Sequence, residues 1–318
     1  MGRRLEGIAA IRLGFLGAVL RHLLWFVGLV VGVLALVQFL LWAAPGDPID
    51  LLGAEEIRAG LEAEWGLDQP LPVRVGRFII GALHGDLGSS LTVRPGAKIV
   101  PLIRSSAGRS AGLLIPALLL SLGLSLLLAW SNRRWRMVHA ISVAPVFLLA
   151  HLLVHGINET TYTLIQEGLT RPEWFALPLI DSPQRSALAI GILAIGSGAL
   201  SSLSGELSAA IQQIRSSAWL EAARARGTPL SPHILGNLLP PLLVSLASQV
   251  AFVTGGLVIV EKVLLLNGAG ALLWESALQR DYPLAMGLAM LAAITICGAR
   301  LLTDVARLLI DPRLRVPR

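Results

Sequence analysis

Residues Leu23–Ala44 read LLWFVGLVVGVLALVQFLLWAA, 22 positions without a charge. A helix rises about 1.5 Å per residue, so roughly 20 apolar residues cover the ~30 Å hydrocarbon core of a bilayer. This run is long enough to cross. It is preceded by Arg3, Arg4, Arg12 and Arg21, as a signal peptide would be. A signal core is only about 7–15 residues, so the length favours a retained anchor.

Outward from this run the rest of the chain reads the same way. Of 318 residues, 54% are hydrophobic and 14% charged, and mean hydropathy is +0.71. A soluble domain carries about 25% charged residues. So apolar a chain lacks the polar surface to cover a water-soluble globule. Five further stretches have span-like character: Ala111–Trp130, Met137–Ile157, Ala187–Leu203, Leu242–Val260 and Leu284–Ile310. The fourth is short and rich in Gly and Ser. The expected fold is an all-α integral membrane protein with about six transmembrane helices. Residues 1–44 form a cytoplasmic N-terminus and first helix, 45–107 an extracytoplasmic segment, and 108–318 a five-helix core with a cytoplasmic loop at 205–240.

The net charge of +6 does not point to nucleic acid, because the basic residues sit in short groups beside apolar runs instead of forming a stripe. With the N-terminus inside, segments 1–22, 131–136, 205–236 and the end of the last helix carry net +10, and the outside carries −4. The excess of Lys and Arg on one side supports this orientation, with both termini cytoplasmic, and Arg133, Arg134 and Arg136 are its strongest anchor. The single cysteine, Cys297, lies in an apolar run and permits neither an internal disulfide nor a CxxC metal pattern. The outer segment is acidic near its start (Asp47, Asp50, Glu55, Glu56, Glu62, Glu64). Its run Ala54–Trp65 reads as helix before Gly66 and Pro70 break the pattern.

The loop near residue 220 is the most informative soluble stretch. Ser216–Ala225 is rich in strong helix formers, Gly227 stands where a left-handed C-terminal cap wants glycine, and Pro229 forbids continuation. Ser231-Pro232 then restarts a helix, which Pro240-Pro241 is expected to end before the next span. Ala222, Ala223 and Ala225 leave a smooth surface that another protein could approach.

Glu221-Ala222-Ala223, three residues, Gly227, eleven residues and Leu239-Pro240 resemble the EAA signature of binding-protein-dependent ABC importer permeases. Further segments resemble the dipeptide/oligopeptide subfamily in order along the chain. They are Pro45–Pro48 (PGDP), Gly66–Leu71 (GLDQPL), Gly85–Ser90 (GDLGSS), Ala223–Gly227 (ARARG), Gly255–Glu261 (GGLVIVE), Gly268–Gly270 (GAG), Arg280–Pro283 (RDYP) and Asp311–Arg313 (DPR). The chain departs from the subfamily at Leu266-Asn267, in a shorter loop after Gly227, and through most of Ser131–Asp181.

The resemblance implies a type I ABC importer permease fold and a transport subunit that is not itself an enzyme. It implies that Glu221, Ala222, Ala223, Arg224, Arg226 and Gly227 couple the chain to a cytoplasmic ABC ATPase. ATP and magnesium would be bound by that partner: no GxxxxGK[ST] occurs here, and no cofactor is expected on this chain. A second permease subunit, an extracytoplasmic solute-binding protein and membrane lipid are the other implied partners, in a bacterial inner membrane.

Several residues admit a second reading. His151 and His155 lie one turn apart and could line a pathway or bind metal, or simply sit near the outer interface; no metal-ligand set is identified. Glu261 beside Lys262 reads as an interfacial anchor or a gate. Ser197 among glycines mimics an intramembrane serine protease, but a close-packing role fits better. The competing functions are a transporter or channel that works without an ATPase, and a degenerate permease kept for structure. A secondary transporter would favour charges deep in its spans, of which the sequence promises almost none.

Overall fold

An apolar helix in lipid satisfies its backbone internally, and the chain meets this condition with helices almost throughout. The computed structural model describes residues 2–43, 69–130, 136–168, 183–196, 198–228 and 230–310. Among the described residues there are eleven helices and no strands, only an isolated antiparallel bridge between Ser89 and Lys98. The helix α1 spans Gly2–Ala43, α2 Leu71–Leu83, α3 Ile99–Trp130, α4 Arg136–Val143 and α5 Val146–Gln166. They are followed by α6 at Pro183–Ile195, α7 at Ala199–Arg215, α8 at Ala218–Ala225, α9 at Leu230–Val263, α10 at Ala269–Leu278 and α11 at Tyr282–Ile310.

Four described helices are long and apolar enough to cross a membrane, at Phe15–Leu40, Ile99–Trp130, Gly236–Val263 and Tyr282–Ile310. The bent pair α6–α7 makes a fifth if counted as one span. The expected third span, Met137–Ile157, is divided between α4 and α5 by Ala144-Pro145. Its second helix has the length of a span but carries the polar run Asn158–Thr161 before its end at Gln166. The expected helix at Ala54–Trp65, the PGDP and DPR segments, Arg133, Arg134 and Ser197 lie outside the described residues.

Helices α3 and α9 form the spine. Toward one end they enclose Leu113, Ala117, Val253, Leu257 and Val260 together with Val146 and Ala150 of α5 and Ile192 of α6. Toward the other, Leu207 and Ile211 of α7 and Leu220 of α8 pack with Leu238 of α9 and Leu126 of α3. The buried stripe Ser106, Ser110, Ala117, Ser121 and Ser125 of α3 is small, so neighbouring helices can approach closely. Helix α1 lies along α11, where His22 and Asp304 stand 3.7 Å apart. Large apolar side chains point outward around the bundle, with Leu119, Leu127 and Leu302 each about two-thirds exposed or more. Apolar area left bare on this scale suits lipid, not water.

Two boundaries differ from the sequence reading. The expected break at Pro240-Pro241 is absent: α9 runs unbroken from Leu230 to Val263 with both prolines inside it. A proline removes one backbone donor, and a helix braced by tertiary neighbours tolerates that loss. The segment read as a cytoplasmic loop from residue 205 also begins inside a helix, because α7 stays helical to Arg215. Its stripe Leu203, Leu207, Ile211 and Ile214 is buried against α3 and α9, and that burial extends the helix beyond where its hydropathy falls.

Candidate functional site

The helix α8 stands on two anchors. Leu220 and Ala223 are turned inward, 0% and 3% exposed, and Leu220 joins the core formed with Ile214, Ile234 and Leu238. Glu221, Ala222, Arg224, Ala225, Arg226 and Gly227 are exposed. Of the three alanines read as a smooth surface, Ala223 therefore faces the protein, and Ala222 and Ala225 face out. Ser217 precedes the helix in an extended conformation, and its hydroxyl donates back to the Ile214 carbonyl at 2.6 Å.

The far end of α8 closes as the glycine predicts. Gly227 has φ +67°, and its N–H donates to the Arg224 carbonyl at 3.0 Å. The Thr228 N–H and hydroxyl then donate to the Ala223 carbonyl at 3.2 and 2.9 Å. Nothing lies within 4 Å of where a Cβ on Gly227 would sit, so the requirement for glycine here is purely conformational.

At the opposite end of α9, Glu261 is fully buried. The Ser110 hydroxyl of α3 donates to its Oε1 at 2.6 Å, and the Ala271 N–H at the start of α10 donates to its Oε2 at 3.0 Å. Ser110 in turn accepts from the Ala269 N–H at 2.7 Å. The carboxylate thus takes up a first-turn donor of α10, at the positive end of the helix dipole, which favours a negative charge. Gly268 and Gly270 form its cradle: a Cβ on Gly268 would overlap the carboxylate, and one on Gly270 would come within 2.6 Å of the Val258 Cα. Glu261 is therefore no interfacial anchor. Its neighbour Lys262 is exposed, because adjacent helical residues point about 100° apart.

A second buried carboxylate, Asp281, closes α10 and opens α11. Its Oδ1 accepts from the Leu284 N–H at 3.3 Å, as a helix N-cap does. Its Oδ2 accepts from the Ser90 hydroxyl and from the N–H groups of Leu91, Thr92 and Val93 at 3.0, 3.1 and 3.2 Å. One side chain so ties the segment after α2 to the bundle. Nearby, a cavity of about 730 Å³ opens between α1, α2 and α11, lined by Gln38, Arg74, Arg77, Asp86 and Tyr282.

His151 and His155 are both exposed on α5, with parallel rings whose centroids are 6.1 Å apart. Among the described residues no group of three His, Cys, Asp or Glu is arranged to hold a metal ion. The helix pairs α4–α5 and α6–α7 meet at their breaks. The Gly198 N–H donates to the Ser142 carbonyl, and the Ser201 N–H donates to the Ser142 hydroxyl at 3.1 Å. Sequence reasoning reached α8 and Glu261 but not Asp281, Ser110 or Ser142. Asp281 sits just before a run of span-like character, where an N-cap belongs. The two serines give no local signal.

The sequence profile described as "Binding-protein-dependent transport system inner membrane component" matches residues 136–316, which include the broken spans, α8, α9, Glu261 and Asp281. The chain belongs to this family of membrane-embedded transport permeases. The permease is similar over nearly its whole length to relatives named for peptides. One, from Brucella suis biovar 1 and provisionally named a peptide permease, is 28% identical, covering 93% of this chain and 98% of the relative. A probable peptide ABC transporter permease of Sinorhizobium fredii is 27% identical with the same coverage. The glutathione transport system permease GsiC of Salmonella paratyphi A is 27% identical, over 94% of this permease and 99% of its own length.

Proposed function

We propose that the chain is one permease subunit of an ATP-driven importer for peptides or related small solutes, glutathione among them. The observation that carries this reading is the geometry of α8. It is a short helix with one face sealed to α7 and α9 through Leu220 and Ala223, and the other face exposed through Glu221, Ala222, Arg224 and Arg226. A helix held this way moves as one body with the two spans it joins. The names of the relatives support the substrate class.

In this reading α8 and both termini lie in the cytoplasm of a bacterium, and the chain sits in the inner membrane. The lean of Lys and Arg toward that side supports the orientation. A cytoplasmic ATPase docks on the exposed face of α8 and binds ATP and magnesium, which this chain does not. Closure of the ATPase dimer pushes α8, and the push passes through Leu220 and Ala223 into α7 and α9, swinging the permease between inward- and outward-facing states. A second permease subunit completes the pathway, and a solute-binding protein delivers substrate at the outer face near residues 45–107.

The test is transport by the intact complex, purified from its host and placed in proteoliposomes. Gly227→Val and Ala222→Glu should leave the complex assembled and basal ATP hydrolysis measurable, while uptake of a dipeptide falls at least about tenfold. Normal uptake by both variants, or uptake by the wild type that needs no nucleotide, removes the proposal.

A further inference from the structure

The span α6–α7 carries an exposed face unlike that of the lipid-facing helices. On α1 the exposed side chains are Leu16, Leu20, Leu24 and others of that kind. On α7 they include Ser202, Gly205, Glu206, Ala209, Gln212 and Gln213, a polar and small-residue face at helical spacing that ends at the exposed Arg215. Glu206 is also deep. Arg215, at the end of the same helix, stacks over the Trp130 ring at 5.5 Å, the kind of basic and aromatic pair that marks a membrane interface. Glu206 lies nine residues before it. At about 1.5 Å per residue it is some 13 Å further in, against a half-thickness of about 15 Å for the hydrocarbon core.

A carboxylate facing acyl chains at that depth is expensive, so such residues face a water-filled cavity or a partner. Glu206 is held in place. The Ser245 hydroxyl of α9, a side chain 3% exposed, donates to its Oε2. No cationic side chain among the described residues pairs with it. Its helix is half of a pair bent by 47° at its break, and in secondary transporters such broken helices gather around the substrate.

We propose that this face of α7 lines the translocation pathway and that Glu206 recognises a cationic group of the substrate, the free α-amino group of a peptide. The inference rests on the importer reading, and Ser245 acts as a positioning residue for the carboxylate. A peptide carries its ammonium wherever it goes, so one fixed anion recognises peptides without regard to their side chains. A neutral or anionic solute gains nothing from it.

The experiment uses the intact complex with Cys297→Ser as background. Cysteines introduced at Ser202 and Ala209 are treated with a cationic trimethylammonium methanethiosulfonate and an anionic sulfonate analogue. Leu119→Cys and Leu302→Cys serve as lipid-facing controls. The stripe cysteines should react, the controls should not, and the cationic reagent should react at least about tenfold faster. Adding Glu206→Gln should abolish that preference. In parallel, uptake of a dipeptide is compared with that of its N-acetylated form. The wild type should favour the free amine at least about tenfold. Glu206→Gln should lose that preference, and Ser245→Ala, which keeps the charge, should lower it several-fold.

Stripe cysteines protected from both reagents would place the face against lipid or a partner subunit and overturn the proposal. So would reaction with no charge preference, or an amine preference that survives Glu206→Gln. If the wild-type complex imports neither peptide, the importer reading fails, and the labelling still decides whether α7 lines a cation-favouring aqueous path.

Discussion

Glycine serves two different ends in this permease, and substitutions separate them. At Gly227 the backbone is left-handed and the surroundings are empty. The cost of a side chain there is conformational, about 1–2 kcal/mol, and greatest for a β-branched residue. At Gly268 the obstacle is the Glu261 carboxylate. Gly268→Ala should destabilise the protein by about 1–3 kcal/mol through overpacking, read as a lower Tm in detergent. Gly236 is the control: it is helical, exposed and has nothing within 4 Å. Gly236→Ala should be neutral or raise stability by up to about 1 kcal/mol, because alanine is the better helix former. Equal effects at 236 and 268 would dismiss the carboxylate cradle.

Between elements, the end of the bundle opposite α8 is held by two buried carboxylates, and they join different partners. Glu261 binds α3 and α10 to α9, whereas Asp281 binds the segment 90–93 to the start of α11. Asp281→Ala removes an acceptor shared by a hydroxyl and several backbone donors. A hydrogen bond to a charged group is worth about 1.5–3 kcal/mol, so the loss should exceed about 2 kcal/mol. Amides of Leu91, Thr92 and Val93 should then exchange with deuterium much faster, while those of α7 keep their protection. Asp86 gives the contrast, since it is exposed and among the described residues its carboxylate accepts from the Gly88 N–H alone, at 2.9 Å. Asp86→Ala should cost under about 1 kcal/mol. At the other end, Leu220→Ala empties a fully buried site beneath α8 and should cost about 2–5 kcal/mol.

Across the whole molecule, α9 runs from the α8 end to the Glu261 end, about 50 Å for a helix of 34 residues. That length exceeds a bilayer, so a crossing by α9 puts its two ends on opposite sides. With Cys297→Ser as background, a cysteine at Ala225 should react with a membrane-impermeant maleimide only in inside-out vesicles. One at Lys98 should react only in right-side-out cells. Both positions are exposed. Labelling of both from one side would contradict a single crossing by α9. His22 and Asp304 add little at this scale. They are about a quarter exposed, and such a pair is worth at most about 1 kcal/mol, so His22→Ala should leave α1 seated on α11.

Local information determined the parts of this protein that depend on local physics. The apolar run at Leu23–Ala44 is long enough to need a membrane wherever it folds, and Gly227 ends α8 because glycine takes the left-handed backbone at little cost. The tertiary structure decided what depends on partners far along the chain. Glu261 beside Lys262 looks like an interfacial pair until Ser110, 151 positions away, and the Ala271 amide of α10 enclose it. Asp281 meets Ser90 across 191 positions. Glu206 reads as a loop residue until the burial of Leu203, Leu207 and Ile211 carries α7 past it and leaves its carboxylate on the open face. Hydropathy measures the cost of leaving water, but the compensation for a buried charge comes from donors that only the folded chain brings together.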